Sequence, residues 1–316
     1  MNYFIVNPNS RSGKGHKIWK TILEELNKTD IKYKVYFTST EYNGTYIAKQ
    51  ITKNNSTCSI TAIGGDGTVN EVINGINNFD NVTFSYIPTG SSNDFARGLS
   101  LSQNPKECLN MILNSNTTEE INIGCVKNNN HKRYFAVSCG IGFNGEVSFD
   151  ALNSKIKGFL NKFKLGKLCY LFIALKRLIL TKPVDMKISV DNGKFKIYNK
   201  VLLLACMNLP YEGGGFKFCP QASCSDNLLD VCIVHNISKL KILMLLPTAF
   251  KGSHINITGV SMIKCKSIKI RTTHKKAVHT DGESFDYNNN VHISCHKSRL
   301  KFITNNYNSL VEEELV

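Results

Sequence analysis

The stretch that most constrains this chain is Ala62-Ile63-Gly64-Gly65-Asp66-Gly67-Thr68-Val69-Asn70-Glu71-Val72-Ile73-Asn74-Gly75. An apolar run over residues 58–63 reads as a buried strand. It stops at two glycines, an aspartate and a third glycine, and a helical pattern begins at Thr68. A strand that turns through glycines into a helix presents backbone N–H groups at the helix's positive end, an arrangement that holds phosphate. Glycine admits φ > 0 and lets a bulky anion approach the backbone. Asp66 sits inside the turn, where a carboxylate repels phosphate unless a divalent cation lies between them. One reading is metal-bound nucleotide chemistry. The other is a tight βα turn with an incidental aspartate, and this segment alone leaves both open.

A chain of 316 residues exceeds a usual single core and implies about two domains. Its net charge of +15 favours anionic partners: nucleic acid, an acidic membrane surface or phosphorylated substrates. The eleven cysteines are an odd number and form no C-x-x-C pair, which argues against a disulfide framework or structural zinc and for a reducing compartment. The first residues turn polar too soon for a signal peptide, and Lys167, Lys176 and Arg177 interrupt the apolar run over 165–180 before it can span a bilayer. The expectation is a soluble, cytoplasmic protein.

Residues 3–6 form a short β-rich run that ends in Asn7-Pro8-Asn9-Ser10-Arg11-Ser12-Gly13-Lys14-Gly15. A helix follows, with Ile18, Trp19, Ile22, Leu23 and Leu26 on one face. This is a second candidate phosphate loop, although it lacks the first glycine of a P-loop, and a plain βα connection explains it as well. A strand over 32–37 ends at Thr38, a helix covers 44–53, and a fourth strand over 83–87 leads into Pro88-Thr89-Gly90-Ser91-Ser92-Asn93-Asp94-Phe95-Ala96-Arg97. There Ser91 or Ser92 is the expected helix cap. The β/α alternation implies a doubly wound parallel sheet whose ligand crevice lies at the strands' carboxyl ends. All three glycine-bearing loops follow strands, so they should gather on one edge.

Beyond about Glu120 short β-like runs dominate, many alternating apolar and polar, so a second, mostly β domain is expected. Helical stretches at 144–180 and 238–250 interrupt it. From Lys155 to Lys182 the chain carries Lys155, Lys157, Lys162, Lys164, Lys167, Lys176, Arg177 and Lys182 and no acid, interleaved with aromatics and leucines. Such a segment can lie on an anionic membrane, or be a core-facing helix with a solvated side. Gly213-Gly214-Gly215-Phe216 precedes a turn at Asp226-Asn227, which can offer a carboxylate and nearby carbonyls to a hard cation or serve as a plain hairpin turn. Asp281-Gly282-Glu283 places two carboxylates around a glycine. In an extended segment both face one side, as an acid/base or metal pair requires, and a charged turn is the alternative.

Together these loops resemble the diacylglycerol kinase catalytic-domain family in its compact bacterial lipid kinase form. The resemblance covers essentially the whole chain and rests on the Gly-Gly-Asp-Gly-Thr stretch, the Asn-Asp-Phe-Ala-Arg stretch and the late Asp-Gly-Glu. It implies an N-terminal doubly wound α/β nucleotide-binding domain over residues 1–122, rejoined by 299–316, and a C-terminal β-sandwich lipid-substrate domain over 123–298. ATP would lie in the cleft between them. By position, Asn7, Pro8, Asn9, Ser10, Arg11, Thr38, Gly64, Gly65, Asp66, Gly67, Thr68, Val69, Asn70 and Thr89 would contact ATP. Asp66 would act through Mg2+ on the phosphates. Glu283 would be the general base, supported by Asp281, and Ser223, Asp226 and Leu228 would hold a structural magnesium. Arg11 stands where the family usually has glycine, Ser91 where it has threonine, and Asn227 where it has glycine.

The resemblance implies an ATP-dependent lipid kinase acting on a lipid substrate at the membrane surface, peripheral at the inner face of the membrane through the basic stretch. The rival readings are a soluble-substrate kinase of the NAD kinase type and a lipid- or nucleotide-binding regulator without catalysis. No nucleic-acid motif accompanies the positive charge, so no nucleic-acid partner is expected, and the sequence leaves a homodimer open.

Overall fold

The computed structural model describes residues 1–115, 117–128, 131–153 and 166–304. The chain divides into two compact units, Met1–Ile121 with the segment from Lys297 onward, and Asn122–His296. Much of the basic stretch, including Lys155, Lys157, Lys162 and Lys164, lies outside the described residues.

The first unit is an α/β layer structure. Strands β1 (Asn2–Val6), β2 (Tyr33–Phe37), β3 (Cys58–Gly64) and β4 (Val82–Pro88) run parallel, joined by helices α1 (Ser10–Leu26), α2 (Gly44–Asn54) and α3 (Asp66–Gly75). The strand order is β2-β1-β3-β4-β15-β5, where β5 is Thr118–Ile121 and β15 is Leu300–Ile303. β15 is parallel to β4 and antiparallel to β5, so the end of the described chain completes the sheet. Phe4, Val6, Ile63 and Ile87 pack with Trp19, Ile22 and Leu26 of α1 and with Cys108 and Leu109 of α5 (Pro105–Asn114). Ile18 and Leu23 join this cluster, so the expected helical face is the one that packs. The alternate strand residues serve the side carrying α2 and α3. Helix α5 escapes the apolar-period reading, but Asn104 caps it, Pro105 opens it and Glu107 lies in its first turn, a legible start signal.

In the second unit β6 (Gly124–Lys127), β7 (Lys132–Phe135), β8 (Ser138–Gly142), β9 (Val184–Val190), β10 (Lys196–Met207), β11 (Leu229–His235), β12 (Val260–Cys265), β13 (Ser267–Thr280) and β14 (Glu283–Cys295) form a nine-stranded antiparallel sheet, ordered β12-β11-β10-β8-β13-β14-β6-β7, with β9 paired to both β10 and β13. Its three longest members are β13, β14 and the 12-residue β10. β9 (Val184–Val190) pairs with the early half of both β10 and β13, and β8 (Ser138–Gly142) with the late half of both. Register shifts fall between those halves, at Val201/Leu203 in β10 and Arg271/Lys276 in β13. A bulge bends its strand, so each long strand passes from one layer to the other and the sheet closes on a core of Val126, Phe135, Met186, Leu204, Ile268 and Val291. This is the mostly β unit expected from the alternating runs, in the sandwich-like form that the resemblance implies. It also carries α6 (Phe143–Asn153), α7 (Gly166–Leu180) and α8 (Lys239–Lys251).

Candidate functional site

In the first unit the loops after β1, β2, β3 and β4 meet through backbone bonds. Asn7 N–H donates to Ile63 O (2.8 Å), Thr38 N–H to Val6 O (2.8 Å) and Thr89 N–H to Gly64 O (2.7 Å). Side chains tie them further: Asn7 Nδ2 donates to Thr68 Oγ1 at 3.1 Å, and the hydroxyls of Ser10 and Thr89 share a buried bond of 2.7 Å. The glycine-bearing loops therefore gather on one edge, at the carboxyl ends of the strands.

The glycines of the opening stretch are there for close approach. Gly65 has φ −103°, and a Cβ on it would lie 3.2 Å from Gly90 Cα; a Cβ on Gly64 would lie 2.3 Å from Thr68 Oγ1. The left-handed backbone sits in the first loop instead, at Arg11 (φ 47°), Ser12 (φ 57°) and Gly13 (φ 87°). This is why glycine suits the position of Arg11: an L side chain there costs about 1–2 kcal/mol. In return the Arg11 side chain lines a groove of about 530 Å³ with Gly90, Ser91, Ser92, Asn93 and Arg97.

Asp66 connects the two most specific motifs. Its carboxylate accepts from the N–H of Asp94 (3.1 Å) and of Phe95 (3.0 Å), the first residues of α4 (Asp94–Gly98). The expected serine cap is thus replaced by a cap from another loop, and the residue before the helix is Asn93, in the left-handed region at φ 51°. The rest of that motif is explained by its neighbours. Asn93 Nδ2 donates to Gly90 O and Gln103 Oε1, Asp94 pairs with Arg97 at 2.9 Å, and Phe95 packs edge-on against Tyr86 and Phe302. The Tyr86 hydroxyl, buried beneath, donates to Gly64 O at 3.1 Å. One carboxylate at the head of a phosphate loop fits magnesium in the way that ion usually binds, through one or two carboxylates plus substrate phosphates. Among the described residues no group of three or more His, Cys, Asp or Glu side chains forms a metal centre by itself.

In the second unit Asp281 and Gly282 are the two-residue turn of the β13–β14 hairpin, with Thr280 paired to Glu283. Both have positive φ, 51° and 84°, the primed turn that an Asp-Gly pair favours. The extended reading of Asp-Gly-Glu therefore gives way to the turn, and the two carboxylates do not share one face of a strand. Asp281 is bound inward, accepting from the N–H groups of Ala136, Val137 and Ser138 at 2.8–2.9 Å. Glu283 is half-buried at the start of β14.

A second anchor lies behind the turn. Gly282 N–H donates to His279 Nδ1 at 3.2 Å, so the ring proton sits on Nε2, which faces Glu212 Oε1 at 3.3 Å. Burial pushes the Glu212 carboxyl up, and contacts from His279, Ser138 and Asn144 outweigh that, leaving it below its ordinary range. Glu212 opens the triple-glycine loop, which it closes by two backbone bonds to Phe216; Gly213, Gly214 and Gly215 all have positive φ. Sequence reading missed Glu212, which is separated from His279 by many residues and carries no motif. Gly140 lies across from His279, and a Cβ on it would come 1.9 Å from Asn144 Nδ2 and 2.2 Å from His279 Nε2. Gly140→Ala is expected to lose about 2–3 kcal/mol of stability, read by urea unfolding, because the short buried neighbours have no room to retreat.

The residues expected to hold a structural metal lie in one turn before β11 (Leu229–His235). Asp226 Oδ1 accepts from Leu228 N–H at 2.9 Å, Asp226 Oδ2 meets Lys264 Nζ at 2.8 Å, and the Ser223 hydroxyl pairs with Ser225. Asn227 does adopt the left-handed turn, at φ 62°. The cation facing Asp226 in this structure is the Lys264 ammonium. Lys264 also reaches Asp230 Oδ2 at 3.8 Å. Burial pushes the Asp230 carboxyl from 3.8 up to about 6, with Lys264 pulling the other way. A folded value above the unfolded one means that the folded state holds the proton more tightly, so stability falls as pH rises through that window. Asp230→Asn is expected to stabilise the protein by roughly 2 kcal/mol at about pH 7 and not at about pH 4, checked by denaturant unfolding at both.

The comparisons with known proteins agree with this geometry. Residues 2–126 match the family model of the diacylglycerol kinase catalytic domain, and residues 148–301 that of the YegS C-terminal NAD kinase beta sandwich-like domain. A diacylglycerol kinase of Staphylococcus haemolyticus is 30% identical over 281 residues, covering 88% of this chain and 81% of that protein. A diacylglycerol kinase structure from Bacillus anthracis superposes with a TM-score of 0.68 at 22% identity, over 96% of each chain. An NAD kinase of Archaeoglobus fulgidus, solved with ATP, gives 0.54 at 13% identity, over 99% of this chain and 98% of that one. With its glycine-bearing loops joined through Asp66 and its Asp-Gly-Glu turn held from behind, this chain belongs to the diacylglycerol kinase catalytic-domain family, a family of lipid kinases.

Proposed function

We propose that this protein is an ATP-dependent lipid kinase that phosphorylates the primary hydroxyl of diacylglycerol or a closely related lipid, giving a product such as phosphatidic acid. The observation that carries this reading is the Asp66 carboxylate bound to the backbone of the Asn-Asp-Phe-Ala-Arg helix, which couples the two motifs most specific to the family. The loops at Asn7–Arg11, Thr38, Gly64–Asn70 and Thr89 hold the nucleotide phosphates. Glu283 takes the proton from the lipid hydroxyl as that oxygen attacks the γ-phosphorus and the bond to the β,γ-bridging oxygen breaks, releasing ADP. Asp281 and His279 act by fixing the turn on which Glu283 stands. Asp66 would hold magnesium, which would supply neutralisation of the phosphate charge. Phosphoryl transfer of this kind depends mostly on positioning and charge neutralisation, which suits a site made of backbone donors and few side chains.

The enzyme works at the inner face of the cytoplasmic membrane, where such lipids present their hydroxyls, and no helix among the described residues is long and apolar enough to cross it. The test is a lipid panel of diacylglycerol, sphingosine, ceramide and phosphatidylglycerol with ATP and mass detection of products. Phosphorylated diacylglycerol is the expected product. Phosphorylation of another lipid alone would reassign the substrate, and of none would overturn the reading.

A further inference from the structure

Helix α8 (Lys239–Lys251) is apolar around most of its circumference, yet the fold covers one side of it. Ile242 packs on the cluster of Leu203, Ala205 and Cys232, and Ala249 is buried. The other side exposes Leu240 (67%), Leu243 (43%), Met244 (65%) and Phe250 (52%), with Pro247 between them. Positions 240, 243, 244, 247 and 250 follow the helical period, so this is one continuous stripe of the kind that normally meets a core. A helix apolar on both sides and packed on one needs a second apolar phase. Lys239 Nζ donates to Ile179 O at the end of α7, where Ile179 (74%) and Leu180 (55%) are also exposed and extend the surface.

Charge selects the occupant. Lys239 and Lys241 stand at one end of the stripe and Lys251 at the other, and between Asp230 and Asp281 the chain contains no acidic residue. A second copy docking on this surface would bring lysines against lysines. An anionic bilayer offers the complement: acyl chains for the stripe and headgroup charge for the lysines.

We propose that the exposed stripe of α8, from Leu240 to Phe250, inserts into the headgroup boundary of an anionic membrane and docks the protein on it. This deepens the lipid-kinase reading by naming the docking surface, but its test does not depend on turnover. The nucleotide-free protein is floated with vesicles of phosphatidylcholine, with and without phosphatidylglycerol. Wild type is expected to partition onto the anionic vesicles, and the double substitution Leu240→Asp, Met244→Asp to lower the partition coefficient at least about tenfold. Because these side chains face solvent, its melting temperature should not fall. The protein has a single native tryptophan, Trp19, which is buried, so Met244→Trp adds a reporter whose emission should shift to the blue on anionic vesicles. The double variant should keep turnover on a short-chain, water-soluble diacylglycerol while losing it on vesicles. Absence of turnover on the soluble lipid in both proteins would count against the kinase reading and leave the partition result to judge the docking surface. Wild-type partition that is absent or unchanged in the double variant overturns the proposal. So does a dimer that the double substitution dissociates while vesicle binding is absent.

Discussion

Glu283→Gln should fold as the wild type does and lose about a thousandfold in phosphoryl transfer. Gln keeps the shape and hydrogen-bonding reach of the side chain but cannot accept a proton from an attacking hydroxyl. Glu283 is half-buried at the first position of β14, and the turn before it is held by bonds that do not involve its carboxylate: Asp281 to Ala136, Val137 and Ser138, and Gly282 N–H to His279. Because Gln keeps the shape and hydrogen-bonding reach of the side chain, melting should be unchanged. The apparent affinity for ATP should also hold, because the loops proposed to bind the nucleotide belong to the other unit. Steady-state kinetics on diacylglycerol in mixed micelles read the effect as a fall in kcat with KM for ATP preserved. A variant within a few-fold of wild type would remove Glu283 from the role of base.

Asp66→Ala should lose both activity and stability. Two backbone donors, at Asp94 and Phe95, lose a charged acceptor, which costs about 2 kcal/mol. The helix they begin also positions Phe95 in the core against Tyr86 and Phe302, so the damage reaches the sheet. Activity should fall by about a hundredfold or more, since the loops proposed to hold phosphate lose their common tie and the carboxylate at the head of α3. Asp66→Asn separates the two effects. Its carbonyl oxygen can still accept from one of the N–H groups, so most of the stability should return while activity does not. Full activity in Asp66→Asn would mean that the carboxylate's charge is not needed, and that Asp66 is a structural cap alone.

The alternation of strand, polar loop and apolar-periodic helix contained the parallel part of the first unit, β1 to β4, because each βα step is local in sequence. The convergence of the loops after β1, β3 and β4 followed from the same topology. What escaped was conformational detail that depends on partners far along the chain. The cap of α4 comes from Asp66, not from Ser91 or Ser92 beside it, and nothing local marks an acceptor twenty-eight residues upstream. The glycines at 64 and 65 looked like positions of free φ, but the left-handed backbone falls on Arg11 and Ser12 instead, residues chosen against propensity. In the second unit the Asp-Gly pair at 281–282 did carry a local signal for a primed hairpin turn, and that signal decides against the extended alternative. Glu212 and Lys264 were invisible for the opposite reason. Their partners His279 and Asp226 are reached only after the sheet closes, and a lone Glu or Lys in a strand-rich stretch looks like any solvated charge.

The identity of the phosphate acceptor separates a lipid kinase from a soluble-substrate kinase most directly. ATP labelled at the γ-phosphate should be offered to the purified protein with diacylglycerol in mixed micelles and, in parallel, with NAD. Label should appear in phosphatidic acid, depend on Glu283 and Asp66, and be absent from the NAD reaction. Label in a phosphorylated dinucleotide and none in lipid would contradict the account and make this fold a soluble-substrate kinase.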